Sequence, residues 1–166
     1  MSVCQVGIRA ILWCMPQRSR DSRRLGTAAE RRGAPQLLAI VELGGYPDFG
    51  PLYRRLGFEV RVENSMRKAL AWLKRHTPAV IVAEFNYQSG FRDRLSNLES
   101  LMGAVQRLAG SPRIVVFYEP ETRHQLVRLQ ARFEFFEVLP YPIDAGKLEG
   151  ALRRAVEDCA PEAGFH

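Results

Sequence analysis

The stretch Pro78-Ala79-Val80-Ile81-Val82-Ala83-Glu84-Phe85-Asn86-Tyr87-Gln88-Ser89-Gly90 decides how this chain folds. Small and β-branched apolar residues, too few for a helix, run into a carboxylate and then into a polar loop closed by glycine. Such a run suits a strand buried on both faces of a parallel sheet. Ligands of open parallel sheets gather at the carboxyl ends of their strands. Glu84 stands at that end.

Working upstream, Leu37 to Glu42 is a second buried strand ending in an acid, and Gly44-Gly45 provides a sharp turn. A short helix is expected from Phe49 to Leu56, with Pro51 tolerated in its first turn and Gly57 as its stop. Phe58 to Val62 alternates apolar and charged residues, as an edge strand does. Asn64 or Ser65 caps the next helix. It turns Met66, Ala69, Leu70 and Leu73 inward and Arg67, Lys68, Lys74 and Arg75 outward. Downstream, the loop Asn86 to Arg94 leads into a helical stripe of Leu95, Leu98, Leu101, Met102, Val105 and Leu108, closed by Gly110. Pro112 opens a strand from Arg113 to Tyr118. A polar helix from Glu121 to Arg132, a strand from Phe135 to Leu139 and a corner from Pro140 to Asp144 come next. The last helix carries Leu148, Ala151, Leu152, Ala155 and Val156. Five strands alternating with five helices predict an α/β fold built on a five-stranded parallel doubly wound sheet. The predicted organisation is a basic tail over 1–36, one domain over 37–157 and a short tail over 158–166.

The net charge of +6 is unevenly placed. Residues 1–32 hold seven arginines against Asp21 and Glu30, so five of the six excess positive charges belong to the tail. The domain is nearly neutral and makes a poor footprint for nucleic acid. Residues Gln17 to Gln36 read as an Arg-rich linker or arm. Cys4, Cys14 and Cys159 form no disulfide framework and no metal motif, which points to a reducing, cytoplasmic setting. His76, His124 and His166 show no ligand spacing. No apolar run approaches the roughly 18–20 residues that span a bilayer. Glycine-rich nucleotide motifs and serine-hydrolase patterns are absent.

From Leu37 to Glu157 the chain resembles the response-regulator receiver domain, a flavodoxin-like three-layer sandwich. The residues that carry the likeness are the strand ending near Glu42, the strand and loop from Pro78 to Gly90, the Pro-led strand from Pro112 to Phe117, and the turn Pro142-Ile143-Asp144. The resemblance implies two-component signalling of the bacterial kind. It also implies an acceptor carboxylate at Glu84, an acidic pocket of Glu42 and Glu84, and switch positions at Phe117, Val138 and Tyr141.

The departures from the family pattern are chemical. The second acid of the first loop is Leu43, and the acceptor Asp is Glu84. The hydroxyl position falls on Phe117, or on Tyr118 if the register slips by one. The lysine position holds Tyr141, and the aromatic switch falls near Val138. Glu84 carries its carboxylate one methylene too far out for a site tuned to in-line attack. Leu43 cannot ligate Mg²⁺. Phe117 cannot hydrogen-bond a phosphoryl oxygen, and no lysine would neutralise one. The expectation is a stand-alone pseudo-receiver with no catalytic residues, no metal and no cofactor. Mg²⁺ is admitted by the acidic pair but disfavoured. Glu42 and Glu84 are expected to splay towards solvent or to find an arginine, because adjacent carboxylates repel. The implied partner is a protein: a kinase, a transcription factor, another receiver or a second copy of the chain. It would bind a face containing Arg123, Arg128, Tyr141 and Arg153, bordered by Tyr118, Phe135 and Phe136. The rival readings are an atypical phosphoacceptor of a phosphorelay and a flavodoxin-like small-ligand binder.

Overall fold

The computed structural model describes residues 33–87 and 96–159. The arm over 1–32 with Cys4 and Cys14, the loop positions 88–95, the Cys159 side chain and the tail from 160 with His166 lie outside the described residues.

The five strands are β1 (Gln36–Ile40), β2 (Glu59–Glu63), β3 (Val80–Glu84), β4 (Arg113–Tyr118) and β5 (Glu137–Pro140). They form one sheet in the order β2-β1-β3-β4-β5, and every pairing is parallel. All of β3 is buried, as its unbroken apolar run requires. The alternating strand β2 takes an edge, and Val62 is exposed there.

The helices are α1 (Gly50–Arg55), α2 (Met66–Leu73), α3 (Leu98–Val105), α4 (Arg123–Gln130) and α5 (Ala145–Cys159). Alternation along the strands divides the core between the two sheet faces. On one face Leu38, Ile40, Ile81, Ile114 and Val116 pack against α2, α3 and α4. On the other, Leu37, Ala39, Val80, Val82, Val115 and Phe117 pack against α1 and α5. The three layers of the doubly wound sandwich follow.

Local chemistry sets the element ends. Pro51 lies in the first turn of α1, and Gly57, at φ +86°, ends it with its N–H on the Arg54 carbonyl at 3.0 Å. Ser65 is extended and its hydroxyl accepts from the Lys68 N–H at 3.3 Å, so of the two expected caps the serine serves α2. Asp144 accepts from the Lys147 N–H at 3.0 Å at the head of α5.

Several bounds differ from the sequence expectation. β1 stops at Ile40, so Glu42 lies in the turn beyond it. Of the expected Leu95–Leu108 stripe, Leu95 lies outside the described residues and α3 spans Leu98–Val105, with Asn97 just before it drawn into side-chain bonds with the strand ends. Pro120 opens a 3-10 turn over Pro120–Thr122, and α4 starts after it. β5 begins at Glu137 rather than Phe135, although the Phe136 N–H already reaches the Ile114 carbonyl at 2.8 Å. Last, α5 runs to Cys159, two residues past the expected domain end.

Candidate functional site

The carboxyl ends of β1, β3 and β4 meet at Glu84. Its register partner on β4 is Phe117 and not Tyr118. Both side chains leave the sheet on the α1/α5 face, since Val80, Val82 and Val115 do so two and four positions earlier. Tyr118 turns to the opposite face and is buried in the α2–α4 core. Tyr118 is therefore neither the alternative hydroxyl position nor part of an aromatic surface. Phe135 and Phe136 are half-buried, each against a different core.

Glu84 is 2 % exposed, and its carboxylate points into the turn after β1. One oxygen, Oε2, accepts from the backbone N–H of Glu42 at 3.0 Å and of Leu43 at 2.7 Å. The other, Oε1, accepts from the Gly44 N–H at 3.1 Å. Three successive N–H groups thus converge on one anion, as in a backbone nest. Gly44 sits at φ +72°, a conformation that side chains oppose. The Gly44-Gly45 pair shapes this nest and not a nucleotide loop.

Glu42 faces elsewhere. Its Oε1 accepts from the Met66 N–H at the start of α2, at 2.8 Å. Its Oε2 accepts from Asn97 Nδ2 at 2.7 Å. The second Asn97 amide hydrogen goes to the Glu84 carbonyl at 2.9 Å, and Asn97 Oδ1 accepts from the Asn86 N–H at 3.1 Å. The expectation that the two acids splay towards solvent or find an arginine needs correction. They part, but each turns to neutral N–H donors, and Glu84 goes inward. The four carboxylate oxygens accept from these five N–H groups, and the acids form two separate seats rather than one open acidic pocket.

Aromatic rings close the space beside Glu84. Phe117 is fully buried. Tyr46 meets it edge-on with ring centroids 5.1 Å apart, and Tyr141 does so at 6.5 Å. Tyr46 also lies 5.9 Å from Tyr141 and stacks on Phe49 at 5.9 Å. Burial raises the pKa of Tyr46, and the Glu84 charge raises it further, with the carboxylate also acting as hydrogen-bond acceptor. Burial followed by Glu84 has the same direction at Tyr141. At Tyr53 the causes are burial and then Asp48. Both rings beside Glu84 are therefore neutral phenols at neutral pH.

Tyr141, which begins the cis Tyr141–Pro142 peptide, is half-buried against this cluster. It faces inward rather than forming an open part of the expected partner face. Val138 is half-buried against the α2–α4 core. Arg123 and Arg128 are exposed on α4. Arg153 is exposed on α5, in the other layer, and pairs with Glu149 at 2.6 Å. His124 is an exposed α4 residue. Among the described residues, no cluster of three His, Cys, Asp or Glu side chains could hold a metal ion, and no helix is long and apolar enough to cross a membrane.

Sequence reasoning missed Tyr46 and Asn97. Tyr46 lies in a turn without periodicity. Asn97 resembles an ordinary helix cap, and only the fold shows that it bridges Glu42 to the end of β3.

No protein-family model and no curated protein matches the sequence. Solved structures do. A sensor protein from Polaromonas sp. JS666 aligns at a TM-score of 0.56 and 23% identity, over 76% of this chain and 98% of its own. The response regulator receiver protein from Sinorhizobium medicae WSM419 aligns at 0.57 and 18%, over 76% and 96%. A response regulator receiver domain protein from Clostridium thermocellum aligns at 0.55 and 14%, over 75% and 96%. The fold is that of a receiver domain. At these identities the likeness extends to the fold alone.

Proposed function

We propose that this chain is a receiver-fold signalling module that acts by protein–protein contact and takes no phosphoryl group. The observation that carries this reading is the seat of Glu84. An acceptor must offer a carboxylate oxygen to a phosphodonor in line, with Mg²⁺ beside it. Both Glu84 oxygens are committed to backbone N–H groups, and the side chain is buried.

The turn after β1 has also reversed its polarity. In a working receiver it presents acids to a cation. Here it presents N–H donors to an anion, and N–H groups do not ligate Mg²⁺. Phe117 and the neutral phenol of Tyr141 occupy the positions of the hydroxyl and the lysine, so developing phosphoryl charge would meet no donor cation. Glu84 then serves as a tethered internal anion that fixes the β1–α1 turn without a modification. The protein is a regulatory binder and not an enzyme, and it uses no cofactor. A kinase, a transcription factor or another receiver is the class of partner that fits, with the exposed Arg123, Arg128 and Arg153 flanking the β5 edge as its contact candidates.

The test is incubation with acetyl phosphate and Mg²⁺, read by intact-mass spectrometry beside a receiver with the full family residue set. Unchanged mass is expected. A stable gain of one phosphoryl group, mapped to Glu84, would overturn the reading and favour an atypical phosphoacceptor.

A further inference from the structure

Away from the Glu84 seat, α2 and α3 lie side by side on the outer layer and leave a groove of about 920 Å³ between them. Its floor is apolar, formed by Met66, Leu70, Leu73, Ala104 and Leu108. Its rim is cationic, with Arg67 and Lys74 on α2 and Arg107 just beyond α3. The lining follows helical spacing on both walls. Residues 67, 70, 71 and 74 make one stripe, and 100, 104, 107 and 108 make the other.

The charge on this face is one-sided. Arg67, Lys68, Lys74, Arg75 and Arg107 are all exposed, and none makes an ion pair among the described residues. Glu99, the acid within α3, is paired with Arg132 of α4 at 2.7 Å. Other arginines of the domain do have partners: Arg55, Arg61, Arg113, Arg132, Arg153 and Arg154 each meet an acid. Arg54, Arg123, Arg128 and Lys147 are likewise exposed without an ion pair among the described residues, and what marks the groove is that five such cations gather around it with an apolar floor between them.

We infer that the α2–α3 groove docks an acidic amphipathic helix of a partner protein. The apolar floor accepts the partner's hydrophobic stripe, and the rim pairs with its carboxylates. The stripe from Arg67 to Lys74 spans about 10 Å, two turns of a docked helix. A second copy of this chain is disfavoured, because two-fold pairing would set one cationic rim against another. Nucleic acid would meet the cations but leave the floor unused, since the lining offers no aromatic ring for a base to stack on. The groove is independent of the phosphorylation state at Glu84, so its test and the test of the Glu84 reading can fail separately.

The experiment uses the full chain and a labelled peptide of about 18 residues with Leu at i, i+4 and i+7 and Glu at most other positions. Fluorescence anisotropy is the readout. The comparison ligands are a scrambled peptide of equal composition and a random-sequence DNA duplex. Micromolar binding of the amphipathic peptide is expected, at least about tenfold tighter than the scrambled form. Arg67→Glu with Arg107→Glu should weaken it by about tenfold or more, and so should Ala71→Glu, which places a charge at an exposed groove position. Lys147→Glu on α5, an exposed cation remote from the groove, should leave it unchanged. Absent binding, equal binding of the scrambled peptide or indifference to the groove variants overturns the proposal. Tighter binding of the duplex than of the peptide also overturns it, in favour of a nucleic-acid surface.

Discussion

Glu84 is the residue on which the carboxyl end of the sheet turns. A carboxylate offers only acceptors, and here it meets three backbone donors. Glutamine has nearly the same shape but one acceptor oxygen, so its amide hydrogens would oppose a backbone N–H. Glu84→Gln should therefore cost about 2–3 kcal/mol of unfolding free energy in urea titration. A loss near zero would mean that the nest contributes little. The neighbouring phenols add a pH dependence of definite sign. Tyr46, Tyr53 and Tyr141 have raised pKa values in the folded state, so the unfolded chain releases their protons first as pH rises past the ordinary value of 10.0. Their stabilising contribution is full below that pH and is lost progressively above it. Urea midpoints should fall between about pH 8 and about pH 11, and the fall should be shallower in Tyr46→Phe. The acid at 84 and the aromatic at 117 were both legible in the sequence. The direction of the carboxylate was not, because backbone N–H groups that gather at a Gly-Gly turn leave no side-chain signature.

At the scale of elements, apolar patterning together with proline and glycine signals placed the five strands and five α-helices but not the 3-10 turn at Pro120–Thr122, and the element ends were settled by chemistry that periodicity does not carry. β3 was readable in full because five buried residues in a row have no other use in a sheet. The start of α3 was not. Asn97, just before it, is held by bonds to Glu42, the Glu84 carbonyl and the Asn86 N–H, which apolar periodicity does not register. This one amide ties the heads of α2 and α3 to the ends of β1 and β3, because Glu42 also accepts from the Met66 N–H. Asn97→Ala leaves the Asn86 N–H and one Glu42 oxygen without those partners. It should lower stability by about 1–3 kcal/mol, with faster amide exchange at Asn86 and Met66. Unchanged exchange at both amides would show that the bridge is not a fastener. The groove between the same helices was half-legible. The outward cations of α2 stand plainly in the sequence, but the facing stripe on α3 becomes a second wall only in three dimensions.

For the molecule as a whole, the fold is a receiver and the central question is whether its carboxyl end still works as one. Under the proposal this end is closed from within: a tethered carboxylate sits in the nest and aromatic rings fill the space beside it. The most direct test is a ¹H–¹⁵N spectrum of the full chain, following the amides of Glu42, Leu43 and Gly44 during addition of Mg²⁺ and beryllofluoride, a phosphoryl analogue. The predicted result is no saturable shift at these amides at millimolar ligand. Saturable shifts there, extending to Phe117 and Tyr141, would mean that the seat opens to an exogenous anion, and would contradict the account.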